Sequence, residues 1–147
     1  MIRQAVFSVA SILVVVAALN GCSSPDDRIR QSAAQAAEDA VSEVNTTRLT
    51  IEQFRAHKLW PQPAGEMVGD AEKGLEQAVS SFSAQQPASP DSRRLYEQTT
   101  KVLDDAQSAV RAVRIALGND DLAAAEEQLA ALRSSTADLG RITELAK

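Results

Sequence analysis

Apolar residues recur every three to four positions through most of the chain beyond residue 27. No stretch shows the one-on, one-off alternation of β-branched residues that marks a half-buried strand. The spacing predicts four helices. The first runs from about Asp27 to Leu59 and puts Ile29, Ala33, Ala36, Ala40, Val44, Ile51 and Phe54 on one side, widened by Ala37 and Val41. Pro61-Gln62-Pro63 is expected to stop it, because each ring removes a donor and pushes the preceding residue toward extended geometry. The second covers about Ala64 to Ser83, with Met67, Ala71, Leu75, Ala78 and Phe82 in line and Val68 and Val79 beside them. Gly69 and Gly74 weaken its propensity, or else allow a neighbouring helix to come close.

The third helix has the clearest start: Ser89 as N-cap, Pro90 at the first position and Asp91 in the first turn. Its apolar seam is Leu95, Val102, Ala106, Val110, Val113 and Leu117, with Leu103 and Ala109 alongside, and Gly118 is expected to end it. Asp120 or Asp121 then caps a fourth helix through Leu122, Ala125, Leu129, Leu132, Leu139 and Ile142 to the end. Four helices with one stripe each bury those stripes as an all-α, antiparallel helical bundle of three to four helices. The count is open because the alanine-rich first half of helix one could be a stalk rather than a wall.

Before these helices stands a different pattern. Arg3 precedes an apolar run, Ala5–Ala18, of about fourteen residues, short of the roughly 20 that span a bilayer. A positive flank, a short apolar stretch and a small-residue exit mark a secretory signal peptide. The run closes on Leu19-Asn20-Gly21-Cys22, and Leu19, Gly21 and Cys22 resemble the lipobox of bacterial lipoproteins; Asn20 stands where that family carries a small residue. The resemblance covers residues 1–22. It implies a diacylglycerol on the Cys22 sulfur, cleavage before Cys22 and acylation of the new amine, with palmitate-type chains as the membrane anchor. It also implies an extracytoplasmic location on the cell membrane, or on the outer membrane of a diderm cell, where Ser23 suits outward sorting. The expected division is a signal peptide over 1–21, a lipidated cysteine and polar tether over 22–28, and a bundle over 29–147.

Composition narrows the chemistry. Cys22 is the only cysteine of the 147 residues, so no internal disulfide and no multi-cysteine metal site can form. Arg3 is the one charge in residues 1–21, so its removal takes the net charge from −5 to −6. That acidity excludes nucleic acid as a partner, since phosphate binding needs a basic footprint. Aromatic residues are only 3% of the chain, so the core must be aliphatic and alanine-rich, which suits close helix packing. No cofactor is expected: one histidine cannot complete a zinc site, and Phe54 sits where a Glu-x-x-His motif ending at His57 needs its acid.

Two groups of side chains remain as candidate contacts. His57-Lys58-Leu59-Trp60-Pro61-Gln62-Pro63 holds the only histidine and the only tryptophan. The simplest expectation has Trp60 folding over the bundle end; the functional one has His57 and Trp60 meeting a protein partner in the envelope. Arg93, Arg94, Lys101, Arg111 and Arg114 make helix three basic, opposite Glu66, Asp70, Glu72 and Glu76 of helix two, and Arg93 and Arg94 are the further candidate contact. Adjacent acids such as Asp104-Asp105 point about 100° apart on a helix and cannot share a substrate. The sequence therefore predicts a non-enzymatic, lipid-anchored structural or interaction module, with an apolar-ligand binder or a sensor-regulating lipoprotein as the alternative.

Overall fold

Ser24-Pro25-Asp26-Asp27 is the start of a helix. In the computed structural model, which describes residues 24–147, the Ser24 hydroxyl accepts from the Asp27 amide at 3.1 Å, and the Asp27 carboxylate accepts from the Ser24 amide at 3.2 Å. This reciprocal pair satisfies two of the donors that every helix start leaves open. Helix α1 therefore spans Pro25–Arg55, and the tether expected over 22–28 is helical from Pro25 onward. The Ser24 hydroxyl and amide also hold the Asp27 carboxyl below its ordinary value. Residues 1–21 and Cys22 lie outside the described residues.

The remaining elements are α2 (Pro61–Ser83), α3 (Pro90–Gly118), α4 (Leu122–Glu127) and α5 (Leu129–Leu145). Among the described residues all regular structure is helical, and no helix is long and apolar enough to cross a membrane. Pro61 opens α2 instead of merely ending α1: it is the first helical residue, where a missing N–H costs nothing. Ser89 caps α3 as the sequence predicts, with Ser92 completing the reciprocal pair. Asp121 caps α4 by accepting from the Ala124 amide at 2.9 Å. The expected fourth helix is tightened at Gln128, whose amide bonds Ala125 at 3.2 Å one residue short of the α-helical partner; α4 and α5 are its two segments.

Both turns at one end of the bundle use the same device. After α1, His57 adopts φ 55°, its amide bonds the Phe54 carbonyl and the Lys58 amide bonds the Gln53 carbonyl. After α3, Asp120 adopts φ 55°, its amide bonds Leu117 and the Asp121 amide bonds Ala116. Each is a Schellman closure with a left-handed residue after the cap, a place usually taken by glycine. Helix α1 thus ends at Arg55, four residues before the expected Leu59. Gly118 is the last residue of α3 rather than the reversing residue; Asp120 reverses the chain.

Helices α1 and α3 touch each other and both flank α2 and the α4–α5 arm, whereas α2 and α5 lie apart. The cross-section is a rhombus with α1 and α3 on its short diagonal. Many buried positions of these two helices are alanine, Ala33, Ala36, Ala37 and Ala40 of α1 and Ala106, Ala109 and Ala116 of α3, and short side chains suit close helix packing. The first half of α1 is therefore a wall of the bundle and not a stalk. Leu75, Leu103, Leu132, Leu139, Ile51 and Phe82 fill the remaining space. At the opposite end from the Schellman turns, Phe82 stacks on Tyr96 with ring centroids 5.1 Å apart, and Tyr96 donates to the Ser83 carbonyl at 3.3 Å, closing the α2–α3 loop.

Thr47 and Thr50 are buried but return their hydroxyl bonds to the carbonyls of Glu43 and Thr46. Thr99 is fully buried and its hydroxyl has no partner. Thr99→Val, which keeps the shape and removes the orphan, is expected to raise the unfolding free energy by up to about 1 kcal/mol in denaturant titration. His57→Gly removes the cost of a left-handed non-glycine residue and is expected to stabilise by about 1 kcal/mol, read as a higher melting temperature.

Candidate functional site

The α2–α3 seam carries the most buried charge cluster among the described residues. Glu72 is only 8% exposed, one position along α2 from the core residue Ala71, and faces α3. Arg111 Nε donates to Glu72 Oε1 at 3.0 Å, Arg114 Nε donates to Glu72 Oε2, and a second Arg111 nitrogen lies 3.5 Å from Glu76. Arg111 and Arg114 project from α3 one turn apart, so they grip both oxygens of one carboxylate. Partial burial works against the Glu72 charge, but the hydrogen bonds and positive charge of Arg111 and Arg114 outweigh it, and the carboxyl titrates below its ordinary value of 4.5. The expected attraction between basic α3 and acidic α2 exists here. It does not extend along the helix: Arg94 pairs with Asp91 and Lys101 with Asp105, each within α3.

Because both oxygens of Glu72 are occupied and both arginines are committed, the cluster is a clasp between helices and presents no free reactive group. Among the described residues, no three His, Cys, Asp or Glu side chains converge as a metal site would require.

The candidate contacts fall at opposite ends of the molecule. His57 and Trp60 sit at the end with the two Schellman turns; Arg93 and Arg94 sit in the first turns of α3, beside the start of α1. About 35 Å of helix separates them, so they cannot form one site. Trp60 does not fold over the bundle end. It is the N-cap residue of α2 in extended conformation, its side chain is 80% exposed, and Leu59 packs against the core in its place. Leu49, Met67 and Ile115 are also exposed, and each lies within about two helical turns of the same end. Leu145 is the exposed large apolar residue at the other end.

The sequence reading missed a surface concavity, a furrow of about 690 Å³ along the α1–α2 seam. Its floor includes Ala36, Ala78 and Gly74, and its rims carry Gln31, Gln35, Gln77 and Gln85 with Arg28, Asp39 and Glu43. Gly74 meets the carboxylate end of Glu43 so closely that a Cβ there would stand 2.7 Å from Oε1. Gly74 thus leaves room for the end of the flexible Glu43 side chain and meets no α1 backbone, whereas Gly69 has open space around it. Burial, with Asp39 second, pushes the Glu43 carboxyl above its ordinary value. The signal was present as a polar stripe at helical spacing, Arg28, Ser32, Gln35, Asp39 and Ser42, beside the apolar one.

Compared with known proteins, the chain matches no protein-family model, no curated protein and no solved structure.

Glu72→Ala is expected to lower the unfolding free energy by about 1–2 kcal/mol near neutral pH, a modest loss because both arginines are about half exposed and rehydrate. Since the folded value of Glu72 is depressed, its contribution is complete above 4.5 and is lost as the pH falls through the lowered value. The gap between the parent chain and Glu72→Ala should therefore narrow in acid, as measured by denaturant unfolding at stepped pH.

Proposed function

We propose that this is a lipid-anchored extracytoplasmic protein whose helical bundle is a non-enzymatic interaction module of the cell envelope. The carrying observation is the sequence Leu19-Asn20-Gly21-Cys22 at the end of a short apolar run. Each buried CH₂ of an acyl chain contributes about 0.8 kcal/mol, so one chain holds a protein marginally and two or three hold it durably.

The bundle supports an interaction role. Glu72 and Asp121 serve the fold, one in a clasp between helices and the other at a helix start. Trp60 and the exposed Leu49, Met67 and Ile115 give the end remote from Cys22 an apolar character that a protein partner in the envelope would cover. In this reading Trp60, with His57 beside it, is the contact. Arg93 and Arg94, at the end near Cys22, face the membrane side.

Cys22→Ser is expected to release the protein from the membrane fraction, to block cleavage before residue 22 and to abolish labelling by a palmitate analogue. Fractionation together with intact-mass measurement checks this. An unchanged mass and an unchanged partition would end the proposal.

A further inference from the structure

A cavity of about 440 Å³ lies at the bundle end nearest Cys22, where α1 and α3 begin and α5 finishes. Its size falls within the range of small-molecule sites. Asp26 and Arg30 of α1, Asp91, Arg94 and Leu95 of α3, and Leu145 of α5 line it. The Asp26 carboxylate is half hidden: its Oδ1 is shut off from solvent and has no hydrogen-bond partner among the described residues. Thr99 and Thr100 hold similar oxygens, but those belong to neutral hydroxyls and neither residue lines this cavity. A carboxylate oxygen that has lost its water without gaining a donor is the more costly case. Turning the carboxylate about its Cβ–Cγ bond, a soft torsion, presents that oxygen to the cavity.

The cavity is lined by both signs of charge. Arg30 stands one turn along α1 from Asp26 and makes no ion pair with it. Arg94 bonds Asp91 through one terminal nitrogen and keeps its other N–H donors. A plain anion here would meet Asp26 and Asp91, and a plain amine would meet Arg30 and Arg94. A ligand carrying an ammonium beside a phosphate satisfies both sets. We propose that this cavity binds a phosphoethanolamine group, its ammonium on Asp26 and its phosphate between Arg30 and Arg94. Leu145, exposed at the same end, offers apolar surface to the glycerol and first methylenes when the group belongs to a lipid. Asp26 is four residues from Cys22, so an anchored bundle holds the cavity close to the headgroup layer. The inference rests on the anchor reading only for bringing that lipid within reach.

The test uses the full chain purified in a sugar-based detergent and titrated with soluble headgroups, read by hydrogen–deuterium exchange in the first turns of α1 and α3. Glycerophosphoethanolamine is expected to slow exchange there. Glycerophosphocholine, whose cation has no N–H to give Asp26, should bind about tenfold more weakly. Glycerophosphoglycerol, which has no cation, should give no protection. Asp26→Asn should erase the preference for ethanolamine over choline, and Arg30→Gln should weaken both. Lys58→Gln, at the opposite end, should change nothing. Absence of protection by glycerophosphoethanolamine, equal protection by all three headgroups, or a preference that survives Asp26→Asn would each overturn the proposal. The same chain in phosphatidylcholine nanodiscs, with and without phosphatidylethanolamine, identifies the source: added protection from the second lipid assigns a membrane headgroup, and none assigns a soluble aminophosphate. The titration needs no acyl chain, so a chain that binds the soluble headgroup, yet keeps its membrane partition and mass in Cys22→Ser, would end the anchor reading and spare the site.

Discussion

The bundle depends on how closely α1 and α3 can approach. A four-helix arrangement with so few aromatic residues has little bulk with which to fill a wide core. It compensates by narrowing the core, with alanine at many of the buried positions of α1 and α3. Dispersion attraction falls steeply with a gap of even an ångström, so closeness substitutes for size. The cost is a core with few alternatives: a larger residue at Ala37 or Ala40 has no free volume to enter. Placing α1 and α3 on the short diagonal also pushes α2 and α5 outward, so their outer seams become the surface.

Charge organises that surface mostly in local terms. Glu72 stands out among the pairs that join helices, because it links α2 to α3 through two arginines and does so partly away from water, whereas Arg55–Glu126 is exposed. The helix ends form a second organising layer. Serine–proline–aspartate caps open α1 and α3 at one end, and left-handed residues close them at the other. The two ends therefore differ in chemistry as well as position: one is polar and arginine-bearing, the other exposes Trp60.

Much of this was legible in the sequence, and the exceptions have physical reasons. The apolar spacing gave the helical faces and the fold class, while it left the bundle at three to four helices and carried no sign of the break at Gln128. Ser89-Pro90-Asp91 was read as a cap, yet the equivalent Ser24-Pro25-Asp26 was read as a tether, because its place after an export segment outweighed its chemistry. The end of α1 was placed late because the reversing residue is His57, and a left-handed histidine carries no sequence signature. Gly118 misled for the complementary reason: glycine is the usual reversing residue, but here aspartate two positions on performs the reversal. The simpler of two expectations folded Trp60 over the bundle end, whereas its position ahead of Pro61 gives it an extended backbone and it stands exposed. The furrow was invisible because helical spacing shows which residues share a face, but not which polar face a neighbouring helix will run beside.

The α1 cap has a mechanical consequence. Ser24 is the capping residue, so a single residue, Ser23, separates it from Cys22, and α1 then continues for 31 residues. If acyl chains ride on Cys22, the body is not a buoy on a slack line but a stiff spar about 46 Å long, stepped almost directly into the bilayer. Its lean is then governed by the first turn of one helix, and any load applied at the Trp60 end is delivered as leverage on that turn.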